Sequence, residues 1–103
     1  MSFVVKKIRS VDTDLVSAAE WYDRAQPGLG DAFLDEADIA ITSLSENALL
    51  YSVRFDDVRC ARLHRFHQYG VYYVIRENEV RVLAVHHGAR DPEWLKEQTK
   101  SSS

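Results

Sequence analysis

The sequence has only one cysteine, Cys60, among its 103 residues, so the chain cannot form an internal disulfide. It also lacks any run approaching the ~20 consecutive apolar residues that a membrane-spanning helix needs. The first residues show no basic flank, long apolar stretch or cleavage site of a secretory signal. Since none of these features indicates an oxidising compartment or a membrane, we expect a cytoplasmic protein that makes no membrane contact.

Motifs for metal or phosphate binding are also missing. The four histidines and Cys60 show no CxxC or HExxH spacing, and the adjacent His86 and His87 point to opposite faces of a strand. Gly28-x-Gly30 precedes a predicted helix but follows another helix, whereas a phosphate-binding loop follows a strand. We therefore expect neither a metal nor a cofactor.

Basic residues are fewer than acidic ones, and most of them lie in the second half of the sequence. The net charge is −3 and the isoelectric point is near 5.7, which disfavours a dedicated nucleic-acid binder. Residues 1–50 carry nine acids against four bases, while residues 51–103 carry seven acids against nine bases, seven of them arginines. These arginines could contact phosphates or carboxylates of a partner, or could pair with Asp56, Asp57 or Glu79 on the solvated face of a sheet.

The apolar pattern of the first half predicts a strand and two helices. A strand is predicted over residues 3–9, followed by a helix capped by Asp12 or Thr13 and ending near Ala25. After a break at residues 26–30, a second apolar stripe runs from Leu29 to Leu44, and residues 45–47 end its helix. Two amphipathic helices joined by so few residues predict an antiparallel αα-hairpin.

The second half predicts strands over residues 58–66, 69–75 and 80–86, with a turn at 77–79. Apolar residues alternate imperfectly in residues 58–66, which indicates either a bulge or burial on both faces. We expect an α+β fold in which the hairpin covers one face of an antiparallel three-stranded meander. Residues 1–95 are predicted to form one domain, and the polar residues 96–103 a frayed tail.

The end of the last predicted strand carries the first group of candidate functional residues. His87, Arg90 and Trp94 leave the sheet together, and Trp94 either closes the core or stands exposed as an anchor. Three further arginines, Arg59, Arg62 and Arg65, could join His87 and Arg90. Such a cluster could stabilise a phosphate or a developing negative charge, or could form ion pairs with the acidic helix. On the helices, Trp21, Tyr22 and Phe33 are expected either in the core or at a partner contact.

Several motifs in a fixed order resemble the ParE branch of the ParE/RelE toxin superfamily over roughly residues 12–95. They are Trp21-Tyr22, Pro27-Gly28-Leu29-Gly30 with Phe33 and Glu36, Glu46-Asn47, Tyr51, Arg59, Leu63, Arg65-Phe66, Tyr73, and Val85-x-His87-x-x-Arg90-Asp91-Pro92 with Trp94. The resemblance implies an αα-hairpin on a small antiparallel sheet. It also implies the toxin of a type II toxin–antitoxin module, neutralised by an antitoxin that wraps around it. ParE-like members are associated with poisoning DNA gyrase, and RelE-like relatives cleave mRNA on the ribosome.

The RelE-like pattern Arg-x-Gly-x-Tyr-Arg-x-x-Tyr is only half present. Arg65, Tyr69 and Tyr73 match it, whereas His67 replaces its glycine and Gly70 its second arginine. Trp94 stands near the position of the acid–base residue that such ribonucleases use, and phosphodiester cleavage needs a proton donor. The resemblance therefore favours a ParE-like role with no catalytic residues.

The resemblance also implies partners and surfaces. A target-facing surface is expected from Arg59, Arg62, Arg65, His87, Arg90 and Trp94, with gyrase as the target. A ParD-like antitoxin is expected to cover Trp21, Tyr22 and Phe33 on the hairpin, together with a sheet edge. The assembly is left open between a homodimer and a heterotetramer with the antitoxin.

Two alternatives to a gyrase-directed toxin remain. One is a ribosome-dependent endoribonuclease that uses Arg65, His87 and Arg90. The other is a non-toxic member that only binds an antitoxin, because His67 and Ala48 replace prolines usual in the family and no arginine follows Trp94.

Overall fold

The computed structural model describes residues 2–87, which place a layer of two helices against a five-stranded sheet. In chain order the elements are β1 (Val4–Lys7), α1 (Arg9–Ala25), α2 (Leu29–Asn47), a 3-10 turn (Ala48–Leu50), β2 (Val53–Phe55), β3 (Val58–Arg62), β4 (Tyr69–Arg76) and β5 (Glu79–His87). The strand order is β1-β5-β4-β3-β2, with β1 parallel to β5 and the other pairs antiparallel. The predicted α+β fold is confirmed.

Some predictions fall on residues that the structure does not describe. The proposed roles of Arg90 and Trp94, the domain limit at residue 95 and the frayed tail at 96–103 lie outside residues 2–87. Within residues 2–87, neither helix combines the length and apolarity needed to cross a membrane.

The turn between the two helices is held by one aspartate near the end of α1. The Asp23 carboxylate accepts the backbone N–H of Gly28 at 3.2 Å and that of Gly30 at 2.7 Å. It thereby satisfies donors of the first turn of α2 that have no partner within the helix. Gly28 has a φ of 92°, a left-handed conformation that glycine adopts without steric cost. The predicted break at residues 26–30 is therefore a tight, capped helical hairpin.

The main core lies between the hairpin and one face of the sheet. Its largest fully buried side chains are Phe33 and Leu44 from α2, Val11 from α1 and Tyr73 from β4. Each such side chain contributes on the order of 1.5–3 kcal/mol when it leaves water. The helical stripes predicted from the spacing of apolar residues are thus the faces that pack on the sheet.

The opposite face of the sheet is buried as well. It carries a second apolar cluster of Val58, Cys60, Tyr72, Val74, Leu83 and Ala84. In β3 the side chains of Val58 and Cys60 join this cluster, while Ala61 faces the helices. Of the two explanations for the imperfect alternation here, burial on both faces is correct. Register shifts occur between β2 and β3, where Val53 pairs with Arg59 and Phe55 with Val58, and between β4 and β5, where Tyr72 pairs with Ala84 and Tyr73 with Val82.

Several details of the secondary structure differ from the prediction. Strand β1, predicted over residues 3–9, spans only Val4–Lys7. Helix α1 begins at Arg9 without a side-chain cap, and Asp12 accepts a 3.1 Å hydrogen bond from Lys7 Nζ instead of capping the helix. Strand β2 was not predicted, and it is only three residues long. Strand β3 ends at Arg62, four residues earlier than expected.

Candidate functional site

Aromatic rings gather at one end of the molecule, between the helical hairpin and the β3–β4 loop. The Tyr22 ring stacks on Phe33 at 5.3 Å between centroids and meets Phe66 edge-on at 4.7 Å and Tyr69 at 5.9 Å. Phe33 is completely buried, whereas Trp21, which meets Tyr22 edge-on at 5.1 Å, is 55% exposed. Of the three residues predicted to contact an antitoxin, Trp21 is therefore at the surface, Tyr22 is half-buried and Phe33 supports them from the core.

The β3–β4 loop is fastened to α2 by Glu36. Its carboxylate accepts the backbone N–H of His64 at 2.5 Å and that of Arg65 at 3.2 Å. The guanidinium carbon of Arg65 lies 5.4 Å from the centroid of the Phe66 ring, a cation–π geometry. Glu36 holds the backbone that presents Arg65 and Phe66.

The arginines of the second half are divided between structural and exposed positions. Arg76 and Arg81 pair with Asp57 and Glu79 at 2.6 Å, as one of the two interpretations of the charge pattern expected. Arg59 donates to the backbone carbonyl of Tyr51 at 2.6 Å. These three guanidiniums therefore serve contacts within the fold.

Arg59 and Arg62 lie on opposite faces of β3, because side chains alternate along a strand. Arg59 has the parity of the helix-facing Ala61, and Arg62 that of Cys60 on the other face. Arg62 is exposed and donates to the carbonyl of His67 at 2.9 Å. The predicted target-facing residues thus do not form one cluster: Arg62 and Arg65 lie at the loop end of β3, and Arg59 lies apart.

His87 reaches the same end of the sheet from β5. It pairs in register with Tyr69, and the two rings meet edge-on with centroids 5.8 Å apart. Arg62 lies on β3, two strands from β5, where it pairs with Gly70 of β4, but its side chain lies on the face of Cys60, whereas His87 lies on the helix-facing side with Val85. The structure therefore brings Arg62, Arg65 and His87 to one end of the molecule.

A cavity of about 320 Å³ lies beside this end, between α1 and the end of β5. Its rim carries Trp21, Arg24 and His87, and its floor includes Ala18 and Val85. Most of this lining was not predicted, although Asp14, Ser17, Trp21 and Arg24 recur at the three- and four-residue spacing of one helical face.

A buried carboxylate closes the bottom of the cavity. Asp14 Oδ2 accepts the backbone N–H of Val85 at 3.1 Å and lies 3.7 Å from His86 Nε2. The side chains of Asp14 and His86 are only 14% and 13% exposed. Asp14 therefore links α1 to the end of β5.

On the opposite face of the sheet, the Cys60 thiol is buried next to Gly70. Burial raises the pKa of Cys60, an effect that Arg54, a hydrogen bond with Tyr72 and Arg62 partly oppose. A raised pKa disfavours the thiolate, so the position suits packing rather than nucleophilic chemistry. Among residues 2–87, no three His, Cys, Asp or Glu side chains come together in a group that could hold a metal ion.

This end of the molecule is therefore suited to binding a macromolecule. Exposed arginine and tryptophan side chains are the residue types that contribute most to protein–protein interfaces. The backbone that carries them is fixed to the helices by Glu36 and Asp14. A rigid presentation of this kind lowers the ordering cost of association.

Comparisons with known proteins agree with the resemblance seen in the sequence. A family model described as the ParE toxin of the type II toxin–antitoxin system parDE matches residues 7–92. No curated protein matches the chain. A chain from a solved structure of the chromosomal ParDE toxin–antitoxin system of P. aeruginosa superposes with a TM-score of 0.74 at 16% identity, covering 84% of this chain and 96% of that one. This similarity shows a shared fold. Because the family model spans most of the sequence, the chain belongs to the ParE toxin family of type II toxin–antitoxin systems.

Proposed function

We propose that this ParE-family toxin inhibits DNA gyrase by binding it, without turning over a substrate. The observation that carries the proposal is the match of the ParE toxin model to residues 7–92. Inhibition by binding requires an exposed, preorganised surface, and it requires no acid–base pair.

The proposed target-facing surface is centred on the loop end of the sheet. Arg65 and His87 are exposed there, and Arg62 is exposed at the same end but on the opposite face of the sheet from His87. Arg90 and Trp94, which follow His87 in the sequence, remain part of the proposed surface. Arg59 has a lesser role in it, since its guanidinium is engaged by the Tyr51 carbonyl.

The proposed partner that neutralises the toxin is a ParD-like antitoxin, which would cover the outer side of α1 near Trp21. It could also pair with an edge strand; β1 and β2 are the two edges of the described sheet. An extended segment adds to such an edge through main-chain hydrogen bonds. Trp21 lies within reach of both proposed surfaces, because the cavity that it borders is also bordered by His87.

The experiment that tests this function is induced expression with and without the cognate antitoxin, followed by pulse labelling of DNA and protein synthesis. Supercoiling by purified gyrase is measured with the purified toxin in parallel. We expect DNA synthesis to stop first and supercoiling to be inhibited. If protein synthesis stops first and mRNA is cleaved, the protein is a ribosome-dependent endoribonuclease. Normal growth would identify a member that only binds its antitoxin.

Substitutions at the surface make the test specific. Arg65→Ala and His87→Ala should each weaken gyrase inhibition by about tenfold or more, with little change in thermal stability, because both side chains are exposed. Arg9→Ala is the matched control, since Arg9 is also exposed but begins α1. Equal inhibition by all three variants would contradict the proposed surface.

A further inference from the structure

The cavity between α1 and the end of β5 has the features of a receptor for a side chain. Its volume of about 320 Å³ is at the lower end of the range of ligand pockets. The apolar floor of Ala18 and Val85 lies below a rim that holds the half-exposed Trp21. An apolar side chain entering there would bury both its own surface and part of the Trp21 ring.

The charges around the cavity determine how an occupant would be oriented. Asp14 lies at the bottom with its carboxylate beside His86, so a second negative charge placed deep in the cavity would be repelled. At the rim, Arg24 is exposed, and among residues 2–87 it has no carboxylate within ion-pair distance. The surroundings therefore suit an apolar group in the depth and an acidic group at the mouth.

We propose that this cavity receives a large apolar side chain of the antitoxin, and that a neighbouring acidic residue of the antitoxin pairs with Arg24 at the rim. This inference rests on the proposed pairing with an antitoxin and adds the chemistry of one anchor. An aromatic or aliphatic anchor in a preformed pocket, with a charged contact at its edge, is the usual composition of an interface hot spot. The aromatic cluster behind Trp21 holds the rim in place, because Tyr22 packs between Trp21 and Phe33.

The test measures the affinity of the purified full-length toxin variants for the purified antitoxin by titration calorimetry. Ser17→Phe fills the cavity from its exposed α1 side, and Arg24→Glu reverses the charge at its rim. Each should weaken antitoxin binding by about tenfold or more, while Arg24→Lys, which keeps the positive charge at an exposed position, should keep affinity within about threefold. Arg9→Glu makes the same charge reversal at an exposed position of α1 that does not line the cavity, and it should bind as the wild type does.

Thermal unfolding of each variant checks that the fold is intact. Wild-type affinity of both Ser17→Phe and Arg24→Glu would overturn the cavity assignment while leaving the toxin–antitoxin pairing in place. Loss of gyrase inhibition by these variants with unchanged antitoxin affinity would assign the cavity to the target and also overturn the proposal. If the wild-type toxin itself fails to bind the antitoxin, the proposed pairing and the cavity assignment both fail.

Discussion

The phenolic hydroxyl of Tyr73 donates a 2.6 Å hydrogen bond to the backbone carbonyl of Ala48, and neither residue has any exposed surface. Tyr73 lies within β4 next to the helix layer, and Ala48 begins the 3-10 turn that follows α2. The bond therefore joins the middle of the sheet to the end of the helical hairpin. Removing the hydroxyl in Tyr73→Phe leaves a buried carbonyl without this donor. The expected cost is about 1–3 kcal/mol of unfolding free energy, measured by urea denaturation at neutral pH.

Alkaline pH should weaken the same contact. Burial raises the pKa of Tyr73 to about 12, an effect that Arg59 partly opposes, whereas an unfolded tyrosine titrates near 10. The stabilisation is complete below about pH 10 and is lost as the pH rises towards about 12, because only the unfolded chain readily releases the proton there. A two-unit difference corresponds to about 2–3 kcal/mol. The stability of Tyr73→Phe should fall less steeply across this window than that of the wild type, and parallel curves would contradict the prediction.

Loss of the Glu36 carboxylate should loosen the β3–β4 loop without unfolding the domain. In Glu36→Ala the backbone N–H groups of His64 and Arg65 lose their acceptor, but both can bind water, so the expected cost is about 1 kcal/mol. Amide hydrogen exchange at these two residues should become faster. Asp35→Ala removes a neighbouring exposed carboxylate on the same helix and should leave exchange in the loop unchanged. Slow exchange in Glu36→Ala would show that the loop is held by other contacts.

Replacing Gly30 with alanine should force the two helices apart. A β-carbon there would lie 2.5 Å from the carbonyl oxygen of Ala19 and 2.7 Å from Asp23 Cγ. The resulting repacking is expected to cost about 1–3 kcal/mol, which exceeds the gain of about 1 kcal/mol in helix propensity. At Gly28 there is space for a β-carbon, but the left-handed backbone disfavours alanine more than asparagine. Gly28→Asn should therefore be milder than Gly28→Ala in thermal unfolding, whereas Gly30→Asn should be no milder than Gly30→Ala.

Gly70 and Cys60 should behave as a coupled pair. The space next to Gly70 is filled by Cys60 Sγ, so a β-carbon at position 70 collides with the sulfur. Gly70→Ala alone should therefore be strongly destabilising. Cys60→Ala alone should cost about 1 kcal/mol for the lost packing, and the double variant less than the sum of the two. Additive effects in a double-mutant cycle would mean that the strands simply move apart.

The elements that the sequence predicted best are those with long periodic patterns. The helices α1 and α2 have 17 and 19 residues, more than four turns each, and the end of α2 at Asn47 is where residues 45–47 indicated it. Strand β2 was missed because three residues carry no detectable period, and its pairing with β3 supplies the stability that local propensity does not. The early end of β3 also results from a contact that local sequence does not reveal. The backbone N–H of Leu63 is bonded to Tyr69 across the loop, which turns the chain back before residue 66.

The candidate site was predicted in part, for reasons that are also physical. His87 and Trp21 stood out because large or ionisable side chains at the end of a strand or on a helix are conspicuous in a sequence. The separation of Arg59 from Arg62 could have been foreseen from strand alternation, since three residues place them on opposite faces. The roles of Asp14 and Glu36 could not be foreseen. Each binds backbone N–H groups more than 25 residues away, which depends on how the layers pack.

The parallel pairing of β1 with β5 has a consequence for synthesis of the toxin. Residues 4–7 of β1 pair with residues 79–82, so β1 has no partner in the sheet until β5 has also been synthesised. Long-range pairing of this kind is slow to form. A chain that stops before β5 lacks the strand between β1 and β4, along with the residues that hold Asp14. Prematurely terminated translation products are therefore expected to be inert and readily degraded. A folded toxin is expected only after β5 has been synthesised.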